Sequence, residues 1–130
     1  MREEYHNGPG GLSGNEDGGQ MSAWFVFSAM GFYPVCPGTD EYVLGSSLFD
    51  RIQIQVPGYP ILEITNHNRS ETNLYIHKVN LNGQAYEKNY LEHDLFIQGG
   101  KLTFEYSGEA NKEWGILPEA RPYSLSVSQK

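Results

Sequence analysis

The chain has 130 residues, with 16 acidic against 9 basic side chains and a formal net charge of −7. That length suits one domain with a moderate core. The charge excludes nucleic acid as a partner, since phosphate neutralisation needs a concentrated basic patch and none is present. A membrane span is excluded too, because no apolar run approaches the roughly 20 residues that crossing requires.

Hydrophobic residues make up 38% and aromatics 13% of the chain, and its 15 glycines supply turns, which together point to a β-rich globular protein. The lone cysteine, Cys36, rules out an internal disulfide and a cysteine zinc cage. It lies in Pro34-Val35-Cys36-Pro37 with no histidine beside it, so it reads as a small apolar residue. The segment Met1–His6 has no apolar core and does not read as a signal peptide.

In chain order, residues 1–14 are polar and glycine-rich and are expected to be loop-like or disordered. From Gly19 to Met30 the pattern predicts a helix of about three turns, opened by acidic residues that suit the positive end of its dipole and closed by Gly31. That helix is apolar nearly all round: Met21, Trp24, Phe25, Val26, Phe27 and Met30 leave it no polar face. A helix of this kind is normally covered on every side. It must therefore dock on the rest of the chain or leave an apolar patch that drives association.

After Pro37-Gly38 the period changes to two. Arg51-Ile52-Gln53-Ile54-Gln55-Val56 alternates, placing Ile52, Ile54 and Val56 on one buried face. Leu62–Thr65, Leu74–His77, Leu95–Ile97 and Leu102–Tyr106 repeat the idea, with Asn82-Gly83 and Gly99-Gly100 as hairpin-turn signals. Six or more such strands predict a mainly β fold, a two-sheet antiparallel β-sandwich preceded by one apolar helix. Beyond Asn111 the chain reads as a tail anchored by Trp114.

The run Gly14-Asn15-Glu16-Asp17-Gly18-Gly19-Gln20 sets two carboxylates and a carboxamide on a glycine-flexed turn ahead of the helix. Such a turn suits proton transfer or cation binding, because glycines let the backbone come close to a ligand while the helix fixes direction. From the residues alone, Asp17 also reads as a helix N-cap, Glu16 as a group facing water, Gln20 as an ordinary helical residue and Asn15 as a turn residue. A phosphate cradle is rejected, since the turn lacks the Lys and Ser/Thr of GxxxxGK[ST] and its acidic groups repel phosphate. His6, His67, His77 and His93 are dispersed with no metal-ligand spacing. Trp24, Phe25 and Phe27 fit a core better than a sugar platform, whereas Tyr59, Tyr75, Tyr86, Tyr90 and Tyr106 are the candidates for exposed sugar contacts.

The run Gly14 to Trp24, continued by Phe27-Ser28-Ala29-Met30-Gly31-Phe32-Tyr33-Pro34-Val35 and Tyr42-Val43-Leu44-Gly45-Ser46-Ser47-Leu48-Phe49, resembles the C-terminal part of glycoside hydrolase family 92. The likeness is dense from about Gly11 to Ile54. It implies a calcium-dependent, exo-acting, mostly bacterial α-mannosidase that inverts configuration and removes terminal mannose from glycans such as N-glycans. It implies that residues 1–37 end a catalytic (α/α)6 barrel and that 38–130 form the C-terminal β-sandwich, with a periplasmic or secreted parent protein.

By that resemblance Asp17 is the general base, and Asn15, Glu16 and Gln20 bind substrate. Asn15 stands where many family members carry Asp, so it can hydrogen-bond water or sugar but cannot act as a base. Inverting hydrolysis needs two carboxyl groups roughly 6.5 to 9.5 Å apart. Glu16 and Asp17, adjacent on a turn, point apart, and the resemblance puts the general acid in upstream domains that would be partners of this chain. Calcium wants roughly 6 to 8 oxygen ligands. Asn15-Glu16-Asp17 supplies only a few, so most ligands are expected outside this chain and none is assigned. The chain alone is then expected to be inactive. A non-catalytic β-sandwich that binds carbohydrate or packs on a barrel is the competing reading, and an interaction fragment led by the apolar helix is a third.

Overall fold

The computed structural model describes residues 4–125. Helix α1 spans Gln20–Met30 and ends where its sequence says it should: Gly31 adopts φ 91°, and its N–H reaches the carbonyls of Phe27 and Ser28, both at 3.1 Å. Eight strands follow or interleave with a second, short helix. β1 (Phe32–Tyr33), β2 (Glu41–Leu44) and β7 (Tyr90–Glu92) form an antiparallel sheet of order β1-β2-β7. β3 (Arg51–Ile54), β4 (Leu62–His67), β5 (Tyr75–Leu81), β6 (Gln84–Ala85) and β8 (Gly100–Ser107) form a five-stranded sheet of order β3-β4-β8-β5-β6.

The mainly β expectation holds, but the second sheet is mixed rather than antiparallel. β4 and β8 run parallel, with Leu62 opposite Gly100 and Ile64 opposite Leu102. Parallel neighbours need a crossover. Here the crossover is everything from β5 to helix α2 (Asp94–Gln98), so α2 stands where Leu95-Phe96-Ile97 was expected to be a strand. Leu95 and Phe96 are both buried, a neighbouring pair that alternation cannot accommodate and one side of a helix can. Gly99-Gly100 is likewise no hairpin: Gly99 ends α2 at φ 68°, its N–H bonding the Leu95 carbonyl at 2.9 Å, and Gly100 opens β8. Asn82-Gly83 is the hairpin the sequence signals, with φ 52° and 84° at its two central residues joining β5 to β6.

The two sheets share one core of Phe32, Leu62, Ile64, Val79, Leu91, Leu95, Phe96, Leu102, Phe104 and Tyr106. Ile52 and Ile54 lie half-buried against it while Arg51 and Gln53 face water, as the alternation in β3 requires. Trp114 anchors the tail, donating its indole N–H to the Tyr86 carbonyl at 2.9 Å. Phe27 and Met30 carry α1 onto the same core, yet Val26 on its other side is 52% exposed. The helix thus docks on the core, the first of the two alternatives, and leaves Val26 exposed.

The junction between helix and strands is tied by Ser47, 2% exposed. Its hydroxyl donates to the Ala29 carbonyl at 3.3 Å, Leu48 N–H bonds that same carbonyl at 2.8 Å, and Ser47 N–H donates to the Tyr106 hydroxyl at 3.3 Å. Burial pushes the Tyr106 phenol above its ordinary value. The last turn of α1 is therefore fixed to both sheets.

Candidate active site

Immediately before α1 the backbone turns twice through the left-handed region, at Gly18 (φ 62°, ψ 22°) and Gly19 (φ 80°, ψ 14°). Neither glycine is there for space, since a Cβ on Gly18 meets nothing within 4 Å and one on Gly19 only reaches Glu16 Oε1 at 4.0 Å. Both are there for conformation. Asp17–Gly19 forms a single 3-10 turn whose Asp17 carbonyl accepts the Gln20 N–H.

Gly19 occupies the N-cap position and has no side chain to cap with. The cap comes from Glu16, whose carboxylate oxygens accept the Ser22 N–H at 3.0 and 3.1 Å. The N-cap reading of Asp17 is thus not what the structure shows: Glu16 caps the helix, and the Asp17 carboxylate is exposed, with no hydrogen bond or ion pair among the described residues. Of the two adjacent carboxylates, one is committed to the fold and the other is free. Asn15 and Gln20 are exposed beside them.

Gln20 also lines a cleft of about 380 Å³ with Glu4, Tyr5, Ser13, Met21, Trp24 and Tyr33. The N-terminal segment builds one wall. Tyr5 stacks on Trp24 (centroids 5.6 Å apart) and on Phe25 (5.1 Å), and its hydroxyl is shielded without a hydrogen-bond partner among the described residues. Burial pushes its phenol above the ordinary value, and the negative charges of Glu16 and Glu4 add to the shift. Residues 4–14 are loop, as expected, closed by His6 N–H to Gly11 O at 3.1 Å, and residues 1–3 of the same segment lie outside the described residues. Gly11 is required for that closure, because a Cβ there would lie 1.7 Å from the His6 carbonyl oxygen. Sequence reasoning missed this wall. Its signal was one aromatic, Tyr5, in an otherwise polar stretch.

The aromatic expectations divide. Phe27 belongs to the core, with ring contacts to Phe32 at 5.9 Å and Tyr42 at 6.0 Å, whereas Trp24 faces the cleft. Tyr90 and Tyr106 are buried at 7% and 4% exposure and Tyr86 is half-buried, so those three are not surface sugar contacts; Tyr59 and Tyr75 are exposed. Among the described residues no three His, Cys, Asp or Glu side chains come together to hold a metal. With Glu16 committed to Ser22, Asp17 and Asn15 provide too few oxygens for the roughly 6 to 8 that calcium takes, so the residues present do not make a calcium site.

The model of the glycosyl hydrolase family 92 catalytic domain matches residues 1–108. The chain belongs to glycosyl hydrolase family 92. It is similar, at 44% identity and a TM-score of 0.85, to the inverting family GH92 mannosidase of Bacteroides thetaiotaomicron VPI-5482, covering 97% of this chain and 17% of that one. A GH92 α-mannosidase of Bacteroides thetaiotaomicron in complex with mannoimidazole is 40% identical with a TM-score of 0.85, over 95% of this chain and 16% of that one. An uncharacterised secreted glycosidase of Arthroderma benhamiae is 31% identical over 123 residues, 92% of this chain and 16% of the relative. The chain thus spans about a sixth of the length of its GH92 relatives. No helix among the described residues is long and apolar enough to cross a membrane.

Proposed function

We propose that this chain is the C-terminal part of an inverting α-mannosidase catalytic unit acting on terminal mannose of glycans, with Asp17 as the general base. The observation that carries the reading is the contrast at the elbow: Glu16 holds the helix, while Asp17 beside it is exposed, has no partner among the described residues and can take a proton from water. Asn15 and Gln20 flank it as hydrogen-bonding groups for water or sugar. Residues 1–37 close the barrel domain and 38–130 form the sandwich beside it. The general acid and any calcium cage belong to chain outside these 130 residues. Secretion of the whole protein is supported by the secreted Arthroderma relative.

Two measurements test this. In the full-length protein carrying this chain, Asp17→Asn lowers kcat on an activated α-mannoside by about 10² to 10⁴-fold, the usual worth of positioned proton transfer. Near-normal turnover would remove Asp17 from the role. The 130-residue chain alone, assayed with calcium, gives no turnover above buffer; activity there would show that the acid lies within it.

A further inference from the structure

Glu16 was a candidate for gripping the sugar, and its surroundings point elsewhere. Both of its carboxylate oxygens lie within 3.1 Å of one backbone nitrogen, that of Ser22 in the first turn of α1. A charged acceptor on a helix N-terminal amide forms a strong bond favoured by the helix dipole. The N-cap residue itself normally supplies that oxygen. Gly19 cannot, so a residue three positions earlier reaches over the turn to do it.

The reach closes a loop whose enclosed residues are Asp17, Gly18, Gly19, Gln20 and Met21. Gly18 and Gly19 are its most permissive points, both left-handed and with open space where a side chain would stand. Among the described residues nothing else holds Asp17 from the outside: its side chain has no partner there and is exposed. The Glu16–Ser22 clasp is what sets the direction of Asp17 relative to a helix that is itself fixed to both sheets.

Resting on the reading of Asp17 as general base, we infer that Glu16 is a positioning residue for that base, acting through the helix cap and not through the sugar. The 130-residue chain gives the structural arm of the test: by hydrogen exchange, the Ser22 amide opens at least about tenfold faster in Glu16→Ala and near the wild-type rate in Glu16→Gln, whose carboxamide oxygen accepts the same N–H. Steady-state kinetics of the full-length protein on an aryl α-mannoside give the functional arm. Because a misplacement of about 1 Å can cost up to about 10²-fold, Glu16→Ala lowers kcat about 10- to 100-fold with KM within about twofold, and Glu16→Gln restores most of it.

A raised KM with kcat intact would overturn the inference and make Glu16 a sugar ligand. So would wild-type kcat in Glu16→Ala, or a Glu16→Gln variant as slow as Glu16→Ala. Asp17→Asn assayed alongside separates the failures. If it stays fully active, the base assignment falls and takes this inference with it; if it is inactive while Glu16→Ala turns over normally, only the positioning role falls.

Discussion

Substituting Gly31 by alanine probes how helix α1 is joined to the strands. Two costs add at this position. The backbone sits at φ 91°, where an L side chain is strained by about 1 to 2 kcal/mol. The new Cβ would also lie 2.8 Å from Ser47 N, 3.0 Å from Ser47 Cα and 3.1 Å from Gly45 O, all backbone atoms with little freedom to retreat. Overpacking of that kind costs typically about 1 to 3 kcal/mol. The Gly45 N–H to Gly31 O bond, 2.8 Å long, resists the shift that would relieve it. The sum, about 2 to 5 kcal/mol, is a large part of a stability that for an ordinary domain is about 5 to 15 kcal/mol. Gly38 is the control: its φ is 94°, and its Cβ would meet nothing within 4 Å. Urea unfolding followed by tryptophan fluorescence should show Gly38→Ala losing about 1 to 2 kcal/mol and Gly31→Ala at least about 1 kcal/mol more. Equal losses would mean that the close approach at Ser47 carries no energy, and the account of the junction would be wrong.

Tyr86 donates its hydroxyl to the Tyr90 carbonyl at 2.8 Å, and burial pushes its phenol up to about 12. Ionisation is opposed in the fold, so the stability this group contributes is complete below pH 10 and lost as pH rises from 10 through 12. Discounted for partial exposure, the loss is about 1 kcal/mol, and Tyr86→Phe should flatten the unfolding free energy across that window. Leu62 is 0% exposed on β4, an interior strand of the five-stranded sheet, and Leu62→Ala should cost about 2 to 5 kcal/mol in the same urea assay. Trp114→Phe removes the bond to the Tyr86 carbonyl and should cost about 1 kcal/mol, with faster proteolysis of the tail past Asn111; an unchanged digestion pattern would show that the indole is not its anchor.

The features that were readable in the sequence are the local ones. The end of α1 at Gly31 and the Asn82-Gly83 turn follow from residues that admit few backbone conformations, and the alternation in β3 follows from one buried face. Helix α2 was not readable, because three apolar side chains in succession, Leu95, Phe96 and Ile97, read as a short buried strand as well as a helix until it is known which of them are buried. The parallel pairing of β4 with β8 depends on which strand ends up beside which, a long-range choice that no local pattern encodes. At the elbow the sequence showed two carboxylates and could not say which was free. Capping chemistry favours Asp at the N-cap, but the cap position is occupied by glycine, and the longer Glu16 side chain reaches across it.

The same geometry explains why the likeness to family 92 extends so far beyond the acidic turn. Asp17 can be aimed only if the helix behind it is immobile, and a lone helix of 11 residues is not stable in water. Its far end must therefore be held: Gly31 admits Ser47 to contact distance, Ser47 bonds Ala29 and Tyr106, and Phe27 stacks on Tyr42. All of these lie within residues 1–108, which the family 92 model matches, Tyr106 on β8 included. The near end is held by Glu16, and its flank by Tyr5 on Trp24 and Phe25. These contacts together hold the helix that follows Asp17. A substitution at Ser47 should accordingly weaken catalysis in the full-length protein through the direction of α1, leaving the chemistry of Asp17 itself untouched. Ser47→Ala, which keeps the volume small and removes the hydroxyl bond to Ala29, should lower kcat and stability together, whereas Asp17→Asn lowers kcat alone. Measuring both quantities on both variants decides it, and a Ser47→Ala protein that loses stability with full turnover would show that the far end of the helix does not aim Asp17, the proposed base.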